Sequence, residues 1–154
     1  MMNDEATWST ADYGGQTAAP RRIPLDRDEA LRLLGTVSLG RLVFTHQALP
    51  AVRAVSHLMD GGNLIVQLHD GAALASIVAP TSATGVVVAY EADAIDPVTR
   101  LGWSVVVTGY AHQVTDEVEL ARYAAVLRPW ADHHAPDAAL RIRPDLITGS
   151  HLSV

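Results

Sequence analysis

Apolar positions along the chain change period several times, and each change marks an element. Ala30, Leu31, Leu33 and Leu34 fall at helical spacing. Asp26 precedes them with Glu29 three residues on, the separation of a capping box, and Gly35 supplies a stop. From Val37 the apolar residues come in short alternating or continuous runs, the pattern of strands. Residues 39–45 predict one strand, His46-Gln47-Ala48-Leu49-Pro50 a turn, and residues 51–58 a second strand. Asp60-Gly61-Gly62-Asn63 predicts a hairpin into residues 64–68, so the three strands form an antiparallel meander. His69-Asp70-Gly71 opens a short Ala-rich helix over 72–78, which Pro80 ends. GVVVAY at 85–90 predicts a strand buried on both faces, with residues 91–97 as an acidic loop behind it. A longer strand is expected over 102–114, broken by a bulge or sharp bend at Gly109. Asp116 and Glu119 repeat the capping spacing for a helix to about Leu127, residues 130–136 read as a loop, and residues 140–142 and 146–148 supply a last strand or pair. Six short strands with few, brief helices and no regular strand–helix alternation favour a mostly β fold, an antiparallel barrel, over a doubly wound sheet.

The amphipathic core occupies residues 23–154. Residues 1–22, acidic at the start, rich in Ser, Thr, Gly and Ala and followed by no apolar segment, read as a disordered tail. Arg21-Arg22 could suggest a twin-arginine export signal, but an amphipathic helix pattern follows. No run approaches the ~18 apolar residues of a membrane span, so cytoplasmic residence is the default expectation.

A strand's period of two places Ala51, Arg53, Val55 and His57 on one face and Val52, Ala54, Ser56 and Leu58 on the other. Arg53 and His57 are then about 13 Å apart at ~3.3 Å per residue, a separation that suits opposite ends of a flat, phosphorylated ligand better than a catalytic dyad. The competing reading makes them ordinary solvent-facing positions of a half-exposed sheet. The Gly71 turn offers helix-start amides to an anion, as any helix start does. Trp103 and Trp130 suit an aromatic ligand, or equally a core or interface.

Composition narrows the chemistry. The 154 residues contain no cysteine, and all 11 basic residues are arginine. Thiolate nucleophiles, Cys-ligated metals, Schiff-base lysines and Walker-type phosphate loops are thereby excluded. A formal charge of −6 argues against nucleic acid as a partner. The seven histidines lack the i, i+4 spacing of H-E-x-x-H, so no metal site is expected, and no G-x-S-x-G is present for a hydrolytic serine.

The segments LDRDEALRLLGTVSLGRLVFT, ALPAVRAVSHLMDGG, DPVTRLGWSVVVTG, LRPW and RIRPDLITG, read in order, resemble the pyridoxamine 5′-phosphate oxidase-like family over roughly residues 24–151. The resemblance implies a six-stranded antiparallel split β-barrel. It implies a homodimer holding FMN, or in some branches the deazaflavin factor 420, in a groove at the subunit interface. It assigns Arg53, Val55, Ser56 and His57 to the strand lining the cofactor's ring and ribityl chain, with His57 as a proton donor or hydrogen-bond partner of the ring. It brings Gln67, Leu68 and His69 to the phosphate, Gly71, Ala72 and Ala73 to the phosphate-facing helix start, and Trp103 to the dimer groove. Many relatives carry arginine at the position of Gln67 and a Ser-Lys or Thr-Lys pair at Ala72-Ala73, and both charges are gone here. Two lost charge-assisted hydrogen bonds at roughly 1.5–3 kcal/mol each weaken phosphate binding by some two to four orders of magnitude unless other groups compensate. The resemblance therefore implies a flavin-dependent oxidoreductase taking hydride or electrons from a reduced nicotinamide to a small substrate. The alternatives are a non-catalytic binder of a flavin, deazaflavin, haem or other planar ligand, or a barrel with no cofactor.

Overall fold

A computed structural model of the chain describes residues 19–69, 71–78, 85–127 and 138–154. The elements in order are β1 (Arg21–Pro24), α1 (Arg27–Leu34), β2 (Leu39–His46), β3 (Leu49–Asp60), β4 (Asn63–Leu68), α2 (Gly71–Val78), β5 (Val86–Ile95), β6 (Gly102–Gln113), α3 (Glu117–Val126), β7 (Ala138–Ile142) and β8 (Leu146–Ser153). All described pairings are antiparallel, in the order β1-β8-β6-β5-β2-β3-β4-β7 with β7 also pairing β6. The six strands β6-β5-β2-β3-β4-β7 thus close into a barrel, and β8 and β1 extend outward from β6. Because β6 must serve two neighbours on one edge, it pairs β8 over Gly102–Thr108 and β7 over Ala111–Gln113.

Gly109 sits where β6 changes partner. Its register with β5 is unbroken, so the expected bulge is absent. The glycine answers instead to closeness: a Cβ there would collide with the carbonyl of Arg143 in the β7–β8 turn.

Strand alternation fills the barrel. Leu42, Phe44, Val55, Leu64, Val66, Leu68, Val88, Tyr90, Val105 and Val107 point inward and are buried. On the outer side of β4 and β7, Ile65 and Ala139 form a second apolar cluster with Val114 and with Tyr123 of α3. Asp26 and Asp116 cap α1 and α3 as their spacing predicts, accepting from the amides of Glu29 and Glu119. The Gly61-Gly62 hairpin also forms, both residues with positive φ.

Several sequence expectations are corrected. β5 does not end at Tyr90: it runs through Ile95, its Glu91 and Asp93 alternating outward opposite Val106 and Ser104 of β6. Nor is it buried on both faces, since Val87 is 53% exposed. Residues 49–50 belong to β3, so the β2–β3 connection shrinks to Gln47 and Ala48, both with positive φ. β8 continues to Ser153, and Arg21 and Arg22, placed in the tail by composition, pair with it as part of β1. Residues 1–18 and the loop around Trp130, His133 and His134 lie outside the described residues.

Candidate functional site

The β2–β3 hairpin, the end of β4 and the start of α2 gather at one end of the barrel, because β4 runs antiparallel to β3 and delivers α2 beside the β2–β3 turn. α2 covers this mouth, packing on β2, β4 and β6, with Ala73 and Ile77 one turn apart on its buried side. Arg53 lies opposite Leu42, on the inward side of β3 near the mouth. It is half-buried; its Nη1 donates to the carbonyl of Val52 at 2.8 Å, and its guanidinium rests 5.7 Å from the centre of the Phe44 ring. Gly71 opens the helix with nothing within 4 Å of where a Cβ would stand. His69 is half-buried just before it, and Ala72 follows it on the helix. Arg53, His69 and the first amides of α2 thus share one end of the barrel, which brings a cation, an imidazole and a helix N-terminus together.

The other expected site residues go elsewhere. Val55 and Leu68 are barrel core, and Ala73, 1% exposed, packs into it rather than facing a phosphate. Gln67 points to the opposite side of β4 from Leu68 and lines a cavity of about 150 Å³ beneath α3 with Leu120, Tyr123 and Leu127. Its Oε1, like Nε2 of His69, is buried without a hydrogen bond, while both residues are engaged through other contacts. Ser56 is buried on the face opposite His57, beside Ser38, Val126 and Leu127. Trp103, expected in a groove, alternates inward with Val105 and Val107 and is 8% exposed in the core.

His57 is held inside the protein. It is 2% exposed and both ring nitrogens are taken by the protein. Nε2 lies 2.9 Å from the carbonyl of Leu34, which can only accept, so Nε2 carries the proton. Nδ1 is then the acceptor for the Tyr90 hydroxyl. Burial pushes the His57 pKa below the usual histidine range, with the carbonyls of Leu34 and Val37 opposing it, and burial pushes the Tyr90 phenol up. Two neutral groups therefore tie β5, β3 and the end of α1 together, and neither ring nitrogen of His57 remains for a cofactor. Gly40 makes room for this pair, since a Cβ there would overlap the Tyr90 phenol and the carbonyl of Glu91. Tyr90 and Gly40 escape sequence reasoning because their partners are 33 and 50 residues away.

On the outer face, Arg41 of β2 meets Glu91 at 3.0 Å and Asp93 at 3.5 Å. Burial, and then the neighbouring Asp93 carboxylate, push Glu91 up to about 7 against the pull of Arg41. Under α3, the Asp60 carboxylate accepts from Tyr123 and Arg122, while Arg141 donates to Glu119 and to the Tyr123 hydroxyl. Among the described residues no group of three or more His, Asp or Glu could hold a metal ion, and no helix is long and apolar enough to cross a membrane.

A family model described as pyridoxamine 5′-phosphate oxidase matches residues 26–151. A Mycobacterium tuberculosis protein of uncharacterized function is 46% identical over 140 residues, covering 88% of this chain and 91% of that protein. A Corynebacterium glutamicum structure bearing the pyridoxamine 5′-phosphate oxidase name aligns with a TM-score of 0.69 at 29% identity, over 87% of this chain and all of the other. The FAD binding protein from Mycobacterium smegmatis aligns with a TM-score of 0.64 at 27% identity, over 85% of this chain and 98% of its own.

Proposed function

The chain belongs to the pyridoxamine 5′-phosphate oxidase family, and on that premise we propose that it is a flavin-binding oxidoreductase acting as a homodimer. The observation that carries the reading is the meeting of Arg53 and the α2 start at one barrel mouth. It is supported by the M. smegmatis relative that binds FAD.

The donor set at the mouth fits the phosphate end of a flavin. The Arg53 guanidinium would pair with the anion, held in place by Val52 and the Phe44 ring. The α2 amides would add donors without a side chain, and the open space at Gly71 lets an oxygen approach them. FMN is the cofactor best matched to one arginine and one helix start, with deazaflavin factor 420 as the variant. A bound flavin would supply the hydride and electron chemistry, taken from a reduced nicotinamide and delivered to a small acceptor. The chain's own residues bind and orient; with His57 committed to Leu34 and Tyr90, it offers no proton from that position.

Self-association is supported by a row running straight across five strands. Val52, Val43, Ala89, Thr108 and Leu146 stand side by side on the outer face, with Val52 53% and Leu146 60% exposed. A second copy would cover this row. A non-catalytic flavin carrier is the second reading, favoured by the inward-facing Ala73 and the neutral Gln67 at positions where the family resemblance leads one to expect cations.

Titration of the purified protein with FMN, FAD and factor 420, followed by fluorescence quenching and melting temperature, tests the reading. At least one should bind, and Arg53→Ala should weaken it more than tenfold. Failure of all three to bind overturns the proposal. Binding without oxidation of a reduced nicotinamide selects the carrier.

A further inference from the structure

At the opposite end of the barrel, the β5–β6 hairpin carries the motif DPVTRLG, which flavin binding at the mouth leaves unexplained. Asp96 organises it: its carboxylate accepts from the amides of Val98 and Thr99 at 2.8 Å each, its carbonyl accepts from Arg100 at 2.8 Å, and its own amide donates to Leu101. The outcome is that Arg100, not a glycine, holds the left-handed conformation, with φ 60°. That conformation is strained for a residue with a side chain, and the hydrogen bonds of the turn maintain it.

Arg100 lines a cavity of about 560 Å³ with Ala19, Pro20, Val98, Thr99, Leu101 and Val154. This is the size of a nucleotide-class ligand site. On the other side of β8, Arg21 pairs with Ser153, while Gly102 of β6 pairs with Leu152. Arg21 and the start of β6 are therefore two strand spacings apart, about 10 Å, and arginine side chains can converge across that gap. Arg32, Arg41, Arg122, Arg141 and Arg143 each meet a carboxylate within 3.5 Å, but among the described residues Arg21, Arg22 and Arg100 meet none. In a chain where 17 acidic residues outnumber 11 basic ones, Arg100 at the cavity and Arg21 two strand spacings away, neither meeting a carboxylate among the described residues, favour an anion there.

We infer that the cavity at the β5–β6 hairpin binds a pyrophosphate-bearing small molecule, with Arg100 as the principal cation and Arg21 as the second. The site is distinct from the mouth that holds Arg53: through Leu42, Arg53 stands level with Tyr90 of β5, and the five residues on to Ile95 separate the two places by about 17 Å along the strands. The inference does not depend on flavin binding.

Inorganic pyrophosphate titrated calorimetrically into the full chain at low salt is the test, with FMN binding measured in parallel. Pyrophosphate should bind with a Kd below about 1 mM, weakening as salt rises. Arg100→Asn, which tolerates the left-handed backbone, should weaken it at least tenfold while leaving the melting temperature and FMN affinity unchanged. Arg21→Gln should weaken it less, in the same direction. Absence of pyrophosphate binding, or binding indifferent to both substitutions, overturns the inference. Loss of FMN and pyrophosphate together in Arg100→Asn also overturns it, because Arg100 would then belong to the flavin site.

Discussion

His57 shows how one residue's burial redirects its role. Its ring donates through Nε2 to Leu34 and accepts at Nδ1 from Tyr90, an arrangement that requires the neutral form. The folded-state pKa is lowered, so the stability this group contributes is present above the unfolded value near 6.5 and is lost as pH falls through the lowered folded value. His57→Gln keeps an N–H for Leu34 but removes the titration. It should cost about 1–3 kcal/mol at pH 7.5, measured by urea unfolding, because the Tyr90 hydroxyl loses its partner. The gap from the wild-type chain should narrow as pH drops from 6.5 to 5. A gap that stays constant would show that His57 titrates alike folded and unfolded.

At the scale of elements, caps and hairpins follow local sequence rules while strand lengths do not. The Asp116 carboxylate accepts from the Glu119 amide at 2.9 Å, and α3 is further tied down by Tyr123 to Asp60 and by Glu119 to Arg141. Asp116→Ala should lower stability by about 1 kcal/mol without changing the barrel, visible as a shifted unfolding midpoint with an unchanged slope. A changed slope would mean that α3 unfolds separately. β5 is the opposite case. Glu91 and Asp93 look like loop residues in isolation, yet Arg41 across on β2 makes their strand positions acceptable.

For the whole molecule, closure of six strands leaves β8 and β1 as an outer extension and presents the row from Val52 to Leu146 to solvent. If that row is the contact between copies, Val52→Glu should give a monomer by light scattering where the wild-type chain is a dimer, with the melting profile of the monomer otherwise intact. A variant that remains dimeric would place the interface elsewhere.

The sequence by itself determined the mostly β class, the capped helices α1 and α3, the Gly61-Gly62 hairpin, the family resemblance and the absence of lysine and cysteine chemistry. Each follows from neighbours a few residues apart, where backbone conformation and capping decide the outcome. Only the tertiary structure decided that His57, Ala73 and Trp103 are interior, that Gln67 lies beneath α3, and that Gly109 yields to the Arg143 carbonyl. It alone set Arg21 beside the Arg100 hairpin. Period-two patterning says which residues share a face of a strand, but closing the sheet decides which face is inside and which distant residues become neighbours.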